Sequence, residues 1–142
     1  MPKLLVAVDG SANAHHAVDY VIRHASWYRD PVHVHLLNVQ WPLAGVNVKM
    51  FIREESLNAY YHDEGEAALK NARVALEAAG IAYTPHIGVG DPGRITVEFA
   101  RDQGCDHIVV GTRGLGAVSS MILGSVATKI VHVSPLPVIL VK

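Results

Sequence analysis

At 142 residues and 15.3 kDa the chain is one domain long, spanning 1–142, and half of its residues are hydrophobic, enough for a full core and too many for a disordered chain. Twelve Lys and Arg against thirteen Asp and Glu leave a net charge of −1 with neither sign gathered into a block, which excludes a nucleic-acid arm and a polybasic membrane patch. The one cysteine, Cys105, excludes an internal disulfide, and the apolar runs 4–8 and 136–141 are too short to span a membrane, so a soluble cytoplasmic protein is expected.

Leu4–Val8 is a continuous aliphatic run ending in Asp9-Gly10-Ser11, the pattern of a strand buried on both faces and followed by a turn. Ser11 can cap a helix whose Ala14, Ala17, Val18, Val21, Ile22 and Ala25 recur at three- and four-residue intervals, with Pro31 marking its end. Val32–Val39 reads as the second strand, and Gln40–Phe51, with Pro42, Gly45 and little periodicity, as a loop placed to lie over a ligand. A long helix is predicted from Arg53 to Ala79, with Leu57, Tyr61, Ala68, Ala72, Leu76 and Ala79 on one side and Gly80 ending it in the left-handed conformation. Ile81–Ile87 is the third strand, after which Asp91 and Pro92 supply the cap and first-position proline of a helix that runs to Gln103 and ends at Gly104. Asp106–Val110 makes the fourth strand, Ser125–Val133 the last helix, stopped by Ser134-Pro135, and Val138–Val141 the fifth strand.

Four strand–helix pairs and a terminal strand predict an α/β fold, a single-domain open five-stranded parallel sheet with right-handed crossovers and helices on both faces. Ligands of such sheets bind beyond the carboxyl ends of the strands, which directs attention to Asp9, Val39, residues 88–90 and Gly111. Gly111-Thr112-Arg113-Gly114-Leu115-Gly116 follows a buried strand, and Gly124-Ser125 opens a helix. Glycines let backbone N–H groups approach an anion, and a helix start offers unpaired N–H groups and the positive end of its dipole, so both favour phosphate. Ser125 adds a hydroxyl there, while Arg113 is either a planar phosphate donor or a solvated turn residue. Asp9 suits a ribose hydroxyl or a metal-bound water, a reading that its position favours over a turn-capping bond with Ser11.

Gly111, two residues, Gly114, nine residues and Gly124-Ser125 form a G-x2-G-x9-G-[ST] pattern, and on it the chain resembles the ATP-binding branch of the universal stress protein family. The resemblance runs along the whole chain, through Val8-Asp9-Gly10-Ser11, Leu37-Asn38-Val39, Val109-Val110-Gly111 and Pro135-Leu136-Pro137-Val138. It implies a Rossmann-like fold of the adenine nucleotide alpha hydrolase type with strand order 3-2-1-4-5. It implies Asp9 and the Val39 backbone at the ribose and adenine, and Gly111, Gly114, Gly124, Ser125 and the Val126 amide around the phosphates of ATP, with Mg or Mn held through those phosphates. A homodimer through Val138–Val141 is implied as well, and an apolar edge strand independently calls for a cover. The family role is nucleotide-dependent stress signalling, which leaves room for a further protein partner. No general base is positioned by these motifs, so no catalytic residue is assigned, and Ser125 is the first candidate acceptor should slow ATP hydrolysis or autophosphorylation occur.

The alternative is an adenine-nucleotide-using enzyme on the same fold, an ATPase or a nucleotidyl transferase. The first-strand turn lacks the Ser-Gly-Gly-x-Asp-Ser loop of pyrophosphatase-type enzymes, and no His-x-Gly-His is present. A phosphoacceptor receiver would need an acidic pair where only Asp9 stands. The nine histidines show no ligand set: His15 and His16 point apart, and His33 and His35 share a strand face without a carboxylate or cysteine beside them. Ser125 and His132 lie about 10 Å apart along their helix, too far for direct proton transfer.

Overall fold

The computed structural model describes residues 1–43, 54–113 and 123–142. The elements in chain order are β1 (Lys3–Ala7), α1 (Ala12–His24), a 3₁₀ turn (Ala25–Trp27), β2 (His33–Gln40), α2 (Glu54–Ala78), β3 (Ala82–Val89), α3 (Pro92–Asp102), β4 (His107–Gly111), α4 (Ser125–Val133) and β5 (Val138–Val141). Every predicted strand and helix is present, and the ends move by one or two residues except that the first helix stops at His24 and passes through the 3₁₀ turn, short of Pro31. The predicted loop beyond Leu43 and the helix start at Arg53 lie outside the described residues, as does Gly114.

The five strands form one parallel sheet in the order β3-β2-β1-β4-β5, with Leu4 opposite both Val34 and His107, and Val109 opposite Ile139. Alternation along β1 sends Leu4 and Val6 to one face, where Val34, Leu36, α1 and α2 cover them, and Leu5 to the other, where Leu37, Ile108, α3 and α4 do so. Burying each of these aliphatics stabilises the fold by about 1.5–3 kcal/mol.

The helix ends follow local chemistry. Ser11 Oγ accepts the Ala14 N–H at 3.2 Å and caps α1 as predicted. Gly80 and Gly104 take φ values of +70° and +66°, and the N–H groups of Ile81 and Cys105 reach back to the carbonyls of Leu76 and Ala100 at 3.0 and 2.9 Å. Asp91 occupies the N-cap of α3, but its side chain makes no capping bond; the fixed φ of Pro92 starts this helix instead. The buried stripe of α2 also differs from expectation. Leu69 is fully buried where Ala68 was expected to point inward, and Ala79 is exposed. The cause is Gly65, where a Cβ would lie 2.7 Å from Ile87, so the helix seats against β3 on a line through Gly65, Leu69, Ala72 and Leu76.

His33 and His35 do share a face of β2, under α3, but they serve each other and β3. His33 Nε2 bonds Thr84 Oγ1 at 2.8 Å, and His35 Nδ1 shares a hydrogen bond of 2.9 Å with His86 Nε2. That bond needs one lone pair, so both rings cannot be charged. Burial, with His86, His33 and Lys3 adding positive charge nearby, pushes His35 down from 6.5 to about 4, and burial with His33 lowers His86 as well. The unfolded chain therefore binds protons that the folded chain refuses, and stability is complete above the usual histidine value and lost as pH falls toward the folded one. Thermal midpoints should drop between about pH 7 and about pH 5, and His35→Gln should flatten that slope; an unchanged slope by calorimetry would remove the pair as its source.

Candidate functional site

A cavity of about 510 Å³ opens beyond the carboxyl ends of β1, β2 and β4. Seven of the eight predicted binding residues line it: Asp9 and Val39 from the first two strands, Gly111 and Arg113 from the end of β4, and Gly124, Ser125 and Val126 from the start of α4. The eighth, Gly114, lies outside the described residues.

The crevice is held open by polar links that cross between elements. Asn38, 2% exposed in the middle of an otherwise apolar stretch of β2, donates its amide to the Val8 carbonyl at 2.8 Å and accepts from Gln40 Nε2 at 2.5 Å. With the Val8 N–H bonded to the Leu37 carbonyl at 2.9 Å, these bonds fix where β1 ends and therefore where Asp9 stands. Asp9 Oδ1 accepts the Ser11 N–H at 2.9 Å, so the turn-capping role is real, and the same half-buried residue lines the cavity.

At the β4 end, Asn13 from the first turn of α1 accepts the Arg113 N–H on its Oδ1 at 3.1 Å. A Cβ on Gly111 would sit 2.8 Å from that same oxygen and 3.1 Å from the Asn13 carbonyl, so glycine is needed here for close packing as well as for an open cavity wall. Thr112 donates its N–H to Val141 at 3.0 Å and accepts the Gly124 N–H at 2.6 Å, which brings residues 112 and 124 together at the mouth of α4. The first intrahelical bond of α4 runs from the Thr128 N–H to the Gly124 carbonyl at 2.9 Å, leaving the preceding N–H groups directed out of the helix end beside the cavity.

Cys105 and His132 stand away from this site. Cys105 is buried beyond the amino edge of the sheet, and burial pushes its thiol up to about 11, so it is unreactive in the folded chain. Ser125 and His132 are both exposed at opposite ends of α4. Among the described residues no group of three or more His, Cys, Asp or Glu is arranged to hold a metal. The sequence reading missed Asn13 and Tyr61, whose hydroxyl accepts the Leu43 N–H at 2.8 Å; for Asn38, a buried amide inside an aliphatic run was a visible signal.

These features define an open-sheet α/β domain of Rossmann-like topology with a ligand crevice at its carboxyl edge. The model of the universal stress protein family matches residues 1–142, and the chain belongs to that family. It is 27% identical over 150 residues to the universal stress protein YxiE of Bacillus subtilis, covering 99% of this chain and 98% of that relative. Against the universal stress protein MJ0577 of Methanocaldococcus jannaschii it is 31% identical over 100 residues, 70% of this chain and 62% of the relative. A solved structure of the protein MJ0577 superposes with a TM-score of 0.86 at 29% identity, covering 99% and 95% of the two chains. A universal stress protein solved in complex with cAMP superposes at 0.67 with 25% identity, covering 99% and 96%.

Gly111→Ala should cost about 1–3 kcal/mol of stability in denaturant titration, because neither the Asn13 side chain nor its backbone can retreat without opening the Arg113 bond. A stability equal to the parent chain would mean that this contact is loose.

Proposed function

We propose that the chain binds ATP in this crevice, with Mg or Mn held through the phosphates, and acts in the cytoplasm as a homodimeric, nucleotide-dependent regulator of the stress response. The observation that carries the reading is the cavity itself, which joins an acidic strand end to a helix start of nine residues with no acidic side chain in its first turn. β2 and β4 are two strand spacings apart, about 10 Å, so a ligand with a base at one end and phosphates at the other fits across β1. In this arrangement Gly111, Gly114, Gly124, Ser125 and Val126 surround the phosphates, Arg113 flanks them, and Asp9 and the Val39 backbone hold the ribose and adenine. The cation's ligands come mainly from phosphate oxygens, and Asp9 is placed to order its water. The related protein solved with cAMP supports the adenine class. No catalytic residue is assigned; slow hydrolysis, or transfer to the exposed Ser125 hydroxyl, is the most that this site is proposed to carry.

The dimer is proposed through β5. Leu140 on this strand is 40% exposed, and an uncovered apolar strand edge invites a second copy. Ile139 packs on the chain's own core, so the residue that reports on this contact is Leu140.

Heat-released nucleotide identified by chromatography, followed by calorimetric titration of the emptied protein with Mg-ATP, tests the reading; no binding would leave a family scaffold acting through protein contacts. Gly124 has φ −69° and ψ 164°, values open to any residue, so Gly124→Val should keep the fold. It should weaken ATP about 100-fold or more, and unchanged affinity in the folded variant would refute the phosphate cradle. Leu140→Lys should lower the mass seen by light scattering at low concentration, whereas a persistent dimer would place the interface elsewhere.

A further inference from the structure

We infer that Trp41 and Tyr60 form an aromatic stacking wall for the nucleobase, making this chain selective for a large planar base rather than for phosphate charge alone. The inference rests on the nucleotide reading above and concerns the end of the crevice opposite α4. There Trp41, Pro42, Leu43 and Tyr60 line the cavity next to Val39 and Gln40. Trp41 is 63% exposed and Tyr60 43% exposed, two large aromatic surfaces left in water at the mouth of a cavity, although the sheet faces bury their aliphatics almost completely.

The backbone that carries the wall is held before any ligand arrives. On one side of Trp41, the Gln40 carbonyl accepts the Gly90 N–H at 2.9 Å and its side chain bonds Asn38. On the other side, Pro42 restricts Trp41 to extended backbone, and the Leu43 N–H is tied to the buried Tyr61 hydroxyl at 2.8 Å. Tyr61 also meets Tyr60 edge-on, with ring centroids 5.7 Å apart at 63°, which steadies the second aromatic. Bonds on both sides of Trp41 fix its backbone, so the indole is carried from a set point at the cavity mouth where a base can stack on it. A base seated against Trp41 puts its sugar over the end of β1 and its phosphates toward α4, the order in which the cavity presents Asp9 and then Gly124. Stacking of this kind follows the area of the π-face, so adenine and guanine nucleotides are held more tightly than uridine or cytidine nucleotides, and inorganic triphosphate gains nothing from the wall.

The chain has two tryptophans, and Trp27 sits after α1 at the far, amino edge of the sheet, so Trp27→Phe leaves Trp41 as the sole indole reporter. Titrated with ATP, this variant should lose fluorescence with a midpoint equal to the calorimetric Kd. Inorganic triphosphate should compete for the site without quenching, and UTP should bind more weakly than ATP. Trp41→Ala should weaken ATP about 10-fold, leave inorganic triphosphate unchanged and keep the fold by circular dichroism, and Trp41→Phe should restore most of the loss. ATP binding by calorimetry with unchanged Trp41 fluorescence and unchanged affinity in Trp41→Ala would overturn the wall while sparing the nucleotide reading. No ATP binding by the parent chain would overturn both.

Discussion

The molecule depends on a sheet whose central strands must be covered on both faces. Leu4, Leu5 and Val6 are consecutive and all buried, which no surface strand allows, so the chain has to lay helices on each side of β1. Because β1 and β4 are neighbours, and the helices that follow them pass to opposite faces, the two strand ends diverge and leave a gap that neither helix fills. The crevice is therefore a product of hydrophobic layering, and its position was settled before any residue in it acquired chemistry.

What layering cannot do is hold the rim of that gap in one shape. Three polar side chains do so, each joining segments far apart in sequence: Asn38 ties β2 to the end of β1, Asn13 ties α1 to the segment after β4, and Tyr61 ties α2 to the chain leaving β2. Asn38 is fully enclosed, and its amide donates to a backbone carbonyl that would otherwise be buried without that partner, so removing it would cost more than the bond itself is worth. The rim is thus rigid where a ligand would need fixed walls, and the aromatic end and the helix-start end are held at a set separation.

Much of this was legible in the amino-acid sequence because it is local. Aliphatic runs, the Ser11 cap and the glycines at 80 and 104 act within a few residues of where they stand, and each produced the element expected of it. The spacing of Gly111, Gly124 and Ser125 was read as one site, and the fold brings those residues to one cavity. The misses are long-range. Leu69 replaced Ala68 in the core because Gly65 meets Ile87, a contact that no helical periodicity reveals. Asn13 stands in a helix's first turn where no local pattern marks it, and its role depends on a segment one hundred residues away. The histidines of β2 were read as no metal site and their shared face was visible in the sequence, whereas their partners on β3 were not.

The single thiol has a consequence of a different kind. Cys105 lies in the core layer formed by Val97, Ala100, Ile108 and Ala127, sealed beneath α3 and α4, and it is the one cysteine of the chain. A modifying reagent can reach it only while that layer lifts from the sheet, so its labelling rate reads the local opening equilibrium of one face and is silent about the other. The fold thereby carries its own clock for the breathing of its α3–α4 layer, the layer whose last helix opens onto the crevice.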